Sequence, residues 1–509
     1  MTTYVAAIDQ GTTGTRCMVF DHDGRAMSRA YRRHEQRYPR PGRVEHDPVE
    51  IWKNATAVVR EALDSADIVP EQLAALGVAN QRETTLLWDV ATGEPVHDAI
   101  VWQDRRTTDR VEELRETGVA DSIRRKTGLE PDAYFSATKA EWLLENADPV
   151  ETPGPGSTDL SARAEAGDVV FGTIDTWLIY NLTGAHVTDV TNASRTMLFD
   201  VRDLAWDDDL LAEFSVPRAM LPEVRPSSDE SPYGYTDPDG FLGAEVPVTA
   251  ALGDQQAALF GQTCFEVGEA KNTYGTGSFL LMNTGEEAIE SERGLLTTVA
   301  FQRSGEPVRY ALEGSIFVTG AAVDWLVDVT LVDDPAETEA LARSVDSTDD
   351  VYLVPAFAGL GAPHWDGRAR GTIVGMTRGT RREHIVRAAL ESIAFQTRDV
   401  AEAMEADSGV EMGGLRVDGG AVKNDFLCQL QADVLGTDLV RPVVDETTAL
   451  GAAYAAGLAT GYWSSLEELR DNWRVDREFR PDPTVDDADE RHARWLDAVD
   501  RARGWATEE

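Results

Sequence analysis

The 509-residue chain has very little lysine. Lys53, Lys126, Lys139, Lys271 and Lys423 are the only five lysines among 47 basic residues, against 90 aspartates and glutamates, for a formal net charge of -43. A surface this acidic repels phosphate, which argues against nucleic acid or an anionic membrane as a main partner. No Gly-Lys dipeptide occurs, so a P-loop is excluded. No serine has glycine two residues away on both sides, so there is no nucleophile elbow. No HExxH occurs, and the eight histidines are scattered. Cys17, Cys264 and Cys428 lie far apart with no CxxC, which suits a reducing cytoplasm and no structural zinc. The longest uncharged run, Thr447 to Leu466, is mostly Ala, Gly and Thr and too weakly apolar to cross a bilayer. Met1-Thr2-Thr3-Tyr4 offers neither a basic n-region nor an apolar h-region. The expected location is the cytoplasm, without membrane insertion.

What is present is a chain able to fold. Hydrophobic residues make up 42%, enough for large cores, and the length allows two large domains or three ordinary ones. The acid is dispersed in short runs, such as Asp207-Asp208-Asp209, between apolar stretches, and reads as solvated surface. A dispersed excess of this size suits a protein kept soluble in concentrated salt, where repulsion is screened.

The pattern along the chain is α/β. Val5 to Asp9 and Arg16 to Phe20 read as strands joined by the turn Gln10-Gly11-Thr12-Thr13-Gly14, and His22 to Arg25 turns into a third strand. Asp47-Pro48-Val49-Glu50 places an N-cap, an N1 proline and an N3 acid before the helical spacing Ile51, Ala55, Val58, Val59, Ala62, Leu63. Leu76 to Asn80 is a further strand. A short echo follows in the second half: Asn272 to Gly277 carries another Gly-Thr turn before the strand Phe279 to Met282. The echo suggests a duplicated fold with a boundary near residue 260 and a cleft between the halves. Glu151 to Gly167, with Pro153-Gly154-Pro155-Gly156, reads as a surface loop, and the chain closes with a helix on Ala493, Leu496 and Val499.

Several residues could carry chemistry. Asp9 ends the first strand beside a turn of glycines and threonines whose N–H and hydroxyl groups can cradle phosphate, and a carboxylate there can hold Mg²⁺ through water. Taken alone, the turn reads as a plain β-turn. The second turn, Gly275-Thr276-Gly277, favours a nucleotide held between two lobes. Asp254, in the Gly-led segment Gly253-Asp254-Gln255-Gln256, could accept a proton from a hydroxyl nucleophile, or it could simply cap a helix. Arg82-Glu83, at a strand end, could clamp a polyol; on local evidence it reads as an exposed ion pair.

Taken together, these segments resemble the glycerol kinases of the FGGY carbohydrate kinase family. The resemblance rests on Asp9-Gln10-Gly11-Thr12-Thr13, Asn80 to Thr85, Trp102-Gln103-Asp104-Arg105-Arg106, Gly253 to Gly261, Lys271 to Gly277 and Val417 to Val422. One family signature is met by Gly371 to Met376, His384-Ile385 and Ala388 to Glu391. The other is nearly met by Tyr134 to Lys139 and Trp142-Leu143, with Ala140 where a larger apolar residue is usual. The resemblance implies two ribonuclease H-like domains of the actin and hexokinase superfamily, divided here into residues 1–260 and 261–509. It implies transfer of the ATP γ-phosphoryl to glycerol with Mg²⁺. By matching position, Arg82, Glu83, Tyr134, Asp254 and Gln255 would hold glycerol, with Trp102 and Phe279 on its carbon face. Asp254 would be the base, and Asp9 would organise Mg²⁺. Thr12, Thr13, Gly14, Arg16, Thr276, Gly320, Gly420 and Asn424 would contact the nucleotide. A homodimer or homotetramer is expected.

The chain departs from the family in places. Gly14-Thr15 replaces two serines, which puts one phosphate hydrogen bond in doubt. Asp324 falls near the adenine pocket and receives no role. The stretch Gly240 to Glu245 ends in an acid where relatives regulated by fructose 1,6-bisphosphate carry Arg, so that regulation is not expected. The alternatives are a kinase of the same fold for dihydroxyacetone or a pentulose and, more remotely, an ATP-gated actin-like binding protein.

Overall fold

The computed structural model describes residues 3–147 and 159–506. Its centre is two mixed sheets with one winding. In the first, β1 (Tyr4–Gln10), β2 (Gly14–Phe20) and β3 (Ala26–Arg33) form an antiparallel meander, and β4 (Leu73–Asn80) and β5 (Pro247–Gly253) are added parallel on the other side of β1. The second repeats this order with β6 (Ala270–Tyr274), β7 (Ser278–Gly285), β8 (Arg309–Ile316), β9 (Leu415–Gly419) and β10 (Leu439–Pro442). The short echo in the sequence is thus a duplication of a five-stranded ribonuclease H-like unit. Strands buried on both faces need continuous apolar runs, and β1 has one from Val5 to Ile8, with Asp9 at its carboxyl end.

Helices cover the sheets. Asp47 accepts from the N–H groups of Val49 and Glu50 and starts α1 (Pro48–Ser65), whose apolar stripe packs over β2 and β3. The long α4 (Arg382–Ser408) lies against the second sheet. Two expectations change. Glu151 to Thr158 lie outside the described residues, but Leu160–Glu165 is a helix rather than loop: Leu160 and Ala164 join a hydrophobic core and Arg163 pairs with the buried Asp89. The last helix, α7 (Ala488–Ala502), forms but presents a different face. His492, Trp495, Ala498 and Val499 are buried, while Ala493 and Leu496 face solvent. Trp495 decides this: it stacks on Phe395 and donates to Asp399, so the largest ring sets the rotation.

The uncharged run noted in the sequence is the seam between the halves. α6 (Thr447–Ala459) follows β10 of the second sheet in sequence but packs on α2 (Asp254–Gly261) and on β1, β4 and β5 of the first. Its alanines and glycines allow backbone to touch backbone. A Cβ on Gly451 would fall 1.8 Å from the Ala257 carbonyl oxygen, one on Gly261 2.1 Å from that of Thr447, and one on Gly77 2.2 Å from that of Ala452. Bulkier residues cannot fit there without moving a helix. Gly451→Ala should therefore cost about 1–3 kcal/mol or more. Gly367→Ala, where a Cβ meets nothing within 4 Å, should be near neutral. Denaturant unfolding of the two variants side by side checks this; equal stabilities would contradict the seam.

Candidate active site

The two Gly-Thr turns sit at corresponding places in the two sheets. In the first, the Gly11 N–H donates to Gly14 O at 2.9 Å, and Trp102 Nε1 donates to Thr12 Oγ1 at 2.9 Å. Thr13 is exposed, with its hydroxyl 3.3 Å from Tyr31 Oη. Gly14 is dictated by the third strand. A Cβ there would lie 2.4 Å from Arg32 O and 2.6 Å from Tyr31 Oη. The hydroxyl that position 14 lacks thus has a neighbour: Tyr31 brings one to the same turn. The second turn closes by Gly275 N–H to Gly277 O at 2.8 Å, and the start of α3 (Gly320–Asp328) pins it: Thr319 N–H donates to Thr276 O and Gly320 N–H to Gly275 O, at 2.9 and 3.0 Å. Gly420 faces open space at the end of β9. Asn424 is committed to structure: its Oδ1 caps α5 (Asp425–Leu435) by accepting from Leu427 N–H, and its Nδ2 donates to Thr338. Asp324 is exposed on α3.

Asp9 is the charged group beside the first turn. Arg16, facing it across β1 and β2, donates to Asp9 Oδ2 at 3.1 Å and also pairs with Glu446, just before α6. Burial, helped by the nearby Glu446 and Asp254 carboxylates, pushes the Asp9 carboxyl up to about 7 against the pull of Arg16. No described residue donates to Asp9 Oδ1. A second cation beside this carboxylate would relieve both effects.

The polyol-type residues are brought together around a buried ionic lattice. Locally Arg82-Glu83 read as an exposed pair; both are buried. Arg82 donates to Glu313, in the middle of β8, through Nη1 at 2.5 Å and Nη2 at 2.9 Å, and its Nε lies 3.3 Å from Asp254 Oδ1. Arg195 donates to Glu83 at 2.7 Å and to Glu313 at 3.2 Å. Glu83 has φ +60, a conformation a non-glycine residue holds only when its surroundings enforce it, at about 1–3 kcal/mol. The lattice does so here. Burial raises the Glu83 carboxyl, opposed by both arginines. In Glu313 the arginines prevail over burial and hold it down at about 2.

Rings line this lattice. Trp102 meets Tyr134 edge-on at 5.5 Å, Arg195 lies over Tyr134 at 5.8 Å, and Arg82 lies over Phe279 at 5.7 Å. Asp254 is the first residue of α2 but not its cap, which is Gly253: Oδ1 accepts from Gln255 N–H at 2.7 Å, and no described residue donates to Oδ2. Burial raises its carboxyl, against Arg82 and Lys271. Lys271 Nζ donates to Gln255 Oε1 at 2.5 Å and to Thr273 at 2.9 Å. An ammonium only donates, so the Gln255 carbonyl must face Lys271 and its NH₂ must face away.

The sequence reading missed Arg195, Glu313, Glu446 and the part played by Lys271. Glu313 had a signal, a lone charge in the apolar strand Tyr310 to Ile316. Lys271 had another, as one of five lysines on a buried strand. Arg195 had none; only folding brings it to Glu83.

Profiles of the FGGY family of carbohydrate kinases match this chain twice, the N-terminal domain over residues 4–261 and the C-terminal domain over 270–460. The chain belongs to the FGGY family of carbohydrate kinases. Among curated relatives of this FGGY kinase, the glycerol kinase of Haloferax volcanii is 71% identical over 508 residues, covering 100% of this chain and 99% of that protein. That of Haloarcula marismortui is 69% identical over 507 residues, with the same coverage. The crystal structure of Plasmodium falciparum glycerol kinase with ADP superposes with TM-score 0.90 at 37% identity, covering 98% of each chain. The two-domain fold of the actin and hexokinase type is therefore established for this FGGY kinase.

Arg82, Arg195, Glu83 and Glu313 sum to zero charge. Removing one leaves a buried net charge, at about 3–5 kcal/mol. Arg195→Met and Glu313→Leu should each lose about that much, while the double variant, which keeps the neutral pair Arg82 and Glu83, should lose clearly less than the sum. Unfolding of the four proteins of this cycle measures the coupling; strict additivity would contradict the lattice.

Proposed function

We infer that this FGGY kinase transfers the γ-phosphoryl group of ATP to a terminal hydroxyl of glycerol, giving sn-glycerol 3-phosphate. The observation that carries this reading is the oriented polar set Arg82, Glu83, Asp254 and Gln255 beside the rings of Trp102, Tyr134 and Phe279. Glycerol has three hydroxyls and little apolar bulk. Glu83 and Asp254 accept from hydroxyls, Arg82 and the Gln255 NH₂ donate, and Trp102 and Phe279 cover the carbons. A site that pairs every hydroxyl rejects an analogue lacking one by roughly 10⁴-fold or more, because its own buried groups are left unpaired.

Asp254 is the base. Its Oδ2 is open to take the hydroxyl proton as the oxygen attacks in line, and its carboxyl is raised by burial against the opposing pull of Arg82 and Lys271. The Gly11–Gly14 turn, with Thr12, Thr13 and Arg16, and the Gly275–Gly277 turn, with Thr276 and Gly320, hold the phosphates between the lobes. Gly420, whose Cβ side is open, leaves room for the nucleotide, and the capped start of α5 at Asn424 offers it a wall. Asp9 fits Mg²⁺ through water, since one of its oxygens is uncommitted and the described residues form no cluster of three metal ligands. When bound, Mg²⁺ would supply charge neutralisation on the phosphates. The division at 260/261 separates the polyol and metal carboxylates from much of the nucleotide site. No described helix is long and apolar enough to cross a membrane. We place the enzyme in the cytoplasm, as a homodimer or homotetramer.

Dihydroxyacetone or a pentulose is the competing acceptor, and an ATP-gated binding protein the competing class. ADP release measured with glycerol, with these acceptors and with none separates the three. Release dependent on glycerol is expected; release independent of any acceptor would remove the kinase reading. Asp254→Asn should lower kcat by about 10²–10⁴-fold with ADP affinity nearly unchanged. Lys271→Met, which frees the Gln255 amide to flip, should raise the KM for glycerol more than it lowers kcat; steady-state kinetics shows which constant moves.

A further inference from the structure

A turn that cradles phosphate must show the anion its N–H groups and turn its carbonyls away. In the Gly11–Gly14 turn all four carbonyl oxygens are engaged. Gly11 O accepts from Gln10 Nε2 at 2.8 Å, Thr12 O from Gln36 Nε2 at 2.9 Å, Thr13 O from His34 N–H at 3.4 Å and Gly14 O from Gly11 N–H at 2.9 Å. Among the described residues nothing accepts from the N–H groups of Thr12 and Thr13. A planar trans peptide points its C=O and N–H in opposite directions. Gln10, holding Gly11 O, thereby aims the Thr12 N–H, and Gln36, holding Thr12 O, aims that of Thr13. The Thr12 hydroxyl accepts from Trp102, which leaves its own hydrogen free to donate.

Two hydrogen-bond chains run back from these carbonyls, and both end on His46, a fully buried residue just before α1. A carbonyl oxygen only accepts, so it orients every group behind it. Thr12 O requires the Gln36 NH₂. That leaves Gln36 Oε1 facing His46 Nε2 at 2.9 Å, so this nitrogen carries the hydrogen. Gly11 O requires the Gln10 NH₂, which leaves Gln10 Oε1 to accept from Gln81 Nε2 at 3.0 Å. The other hydrogen of that amide faces His46 Nδ1 at 3.3 Å, so Nδ1 accepts. Both chains demand the same tautomer of a neutral imidazole. Burial, with His34 edge-on at 4.4 Å, pushes His46 down to about 3 and keeps it neutral. Gln81 Oε1 accepts in turn from Thr84, whose hydroxyl accepts from the Trp102 backbone N–H at 3.3 Å.

We propose that His46 is a positioning residue for phosphoryl transfer: through Gln36 and Gln81 it holds the carbonyls of the turn away, so that the N–H groups of Thr12 and Thr13 and the Thr12 hydroxyl face the ATP phosphates. This rests on the reading that the turn holds those phosphates. His46 itself touches no substrate. Without it the peptide between Thr12 and Thr13 is free to rotate and set an oxygen, rather than an N–H, against the anion.

Calorimetric titration with magnesium adenylyl imidodiphosphate, an ATP analogue that resists transfer, tests this together with steady-state kinetics. Gln36→Met cuts the link between His46 and Thr12 O at a half-buried position and should fold. It should weaken the analogue and raise the KM for ATP by about tenfold, the worth of one charge-assisted hydrogen bond, with the KM for glycerol within about twofold. His46→Asn, whose amide ends where Nδ1 lies, should behave alike. His46→Gln, whose NH₂ reaches the place of Nε2, should recover most of the affinity. Equal affinity in wild type and Gln36→Met would overturn the inference and leave the proposed function standing. So would a loss shared equally by nucleotide and glycerol, or equal defects in the two His46 variants, since either marks a role in folding alone. A wild-type chain that binds no analogue would overturn the phosphate reading, and this inference with it.

Discussion

Glu313 is a carboxylate of one sheet that holds two guanidinium groups from the other half of the molecule, and much of the candidate site follows from that contact. It orders Arg82 and Arg195. Arg195 orders Glu83 in a backbone conformation it would not hold by itself, and Arg82 reaches Asp254 at the head of α2. The rings of Phe279, Tyr134 and Phe135 pack against the same two guanidinium groups. Four charges buried together stabilise little in net terms, since desolvation offsets much of their attraction. What they supply is direction: the carboxylate oxygens and N–H groups that pair are each held to one orientation, with Arg195 Nη1 left without a partner, and a polyol site requires such orientation where a hydrophobic core cannot provide it.

How far the sequence discloses this depends on the distance over which each signal acts. The strands, the Gly-Thr turns and the cap at Asp47 are set by neighbours a few residues apart, and they were legible. The duplication was only hinted at, by a second hairpin that repeats the first; the strand order, which depends on strands far apart in the chain, was not legible. Arg82 and Glu83 were legible as a pair but not as buried, because burial is decided by Arg195 and Glu313, more than 100 positions away. The final helix was misread by about one position around its axis, since nothing local says that Trp495 stacks on Phe395. At Gly14 the sequence showed a lost hydroxyl; only the adjacent strand shows Tyr31 standing in the space.

The scarcity of lysine acquires a meaning from the folded chain. Two of the five lysines are fully buried beside the site. Lys271 orients Gln255. Lys139, pushed down to about 7 by burial, donates to the backbone carbonyl oxygens of Tyr134 and Phe135 at 2.5 and 3.0 Å. On the surface arginine takes over, as where Arg37 grips both oxygens of Asp98 at 2.8 and 2.6 Å. The acidic exterior accords with relatives from Haloferax and Haloarcula. It tells of the solvent the chain meets, while the chemistry is confined to a cleft where a few cations and backbone N–H groups face the other way.

The placement of α6 bears on how the chain is made. Its residues come after all but the edge strand Val475–Phe479 of the second sheet in sequence, yet they cover Val5, Ala7, Ala75, Ala79, Ala250 and Leu252 of the first. During synthesis the N-terminal half leaves the ribosome first, with one face of its sheet still bare. That face stays without its cover until residue 459 has emerged, when most of the protein is already outside. The two halves, alike in winding and separate in sequence, therefore cannot mature one after the other; the first waits for the second to complete it.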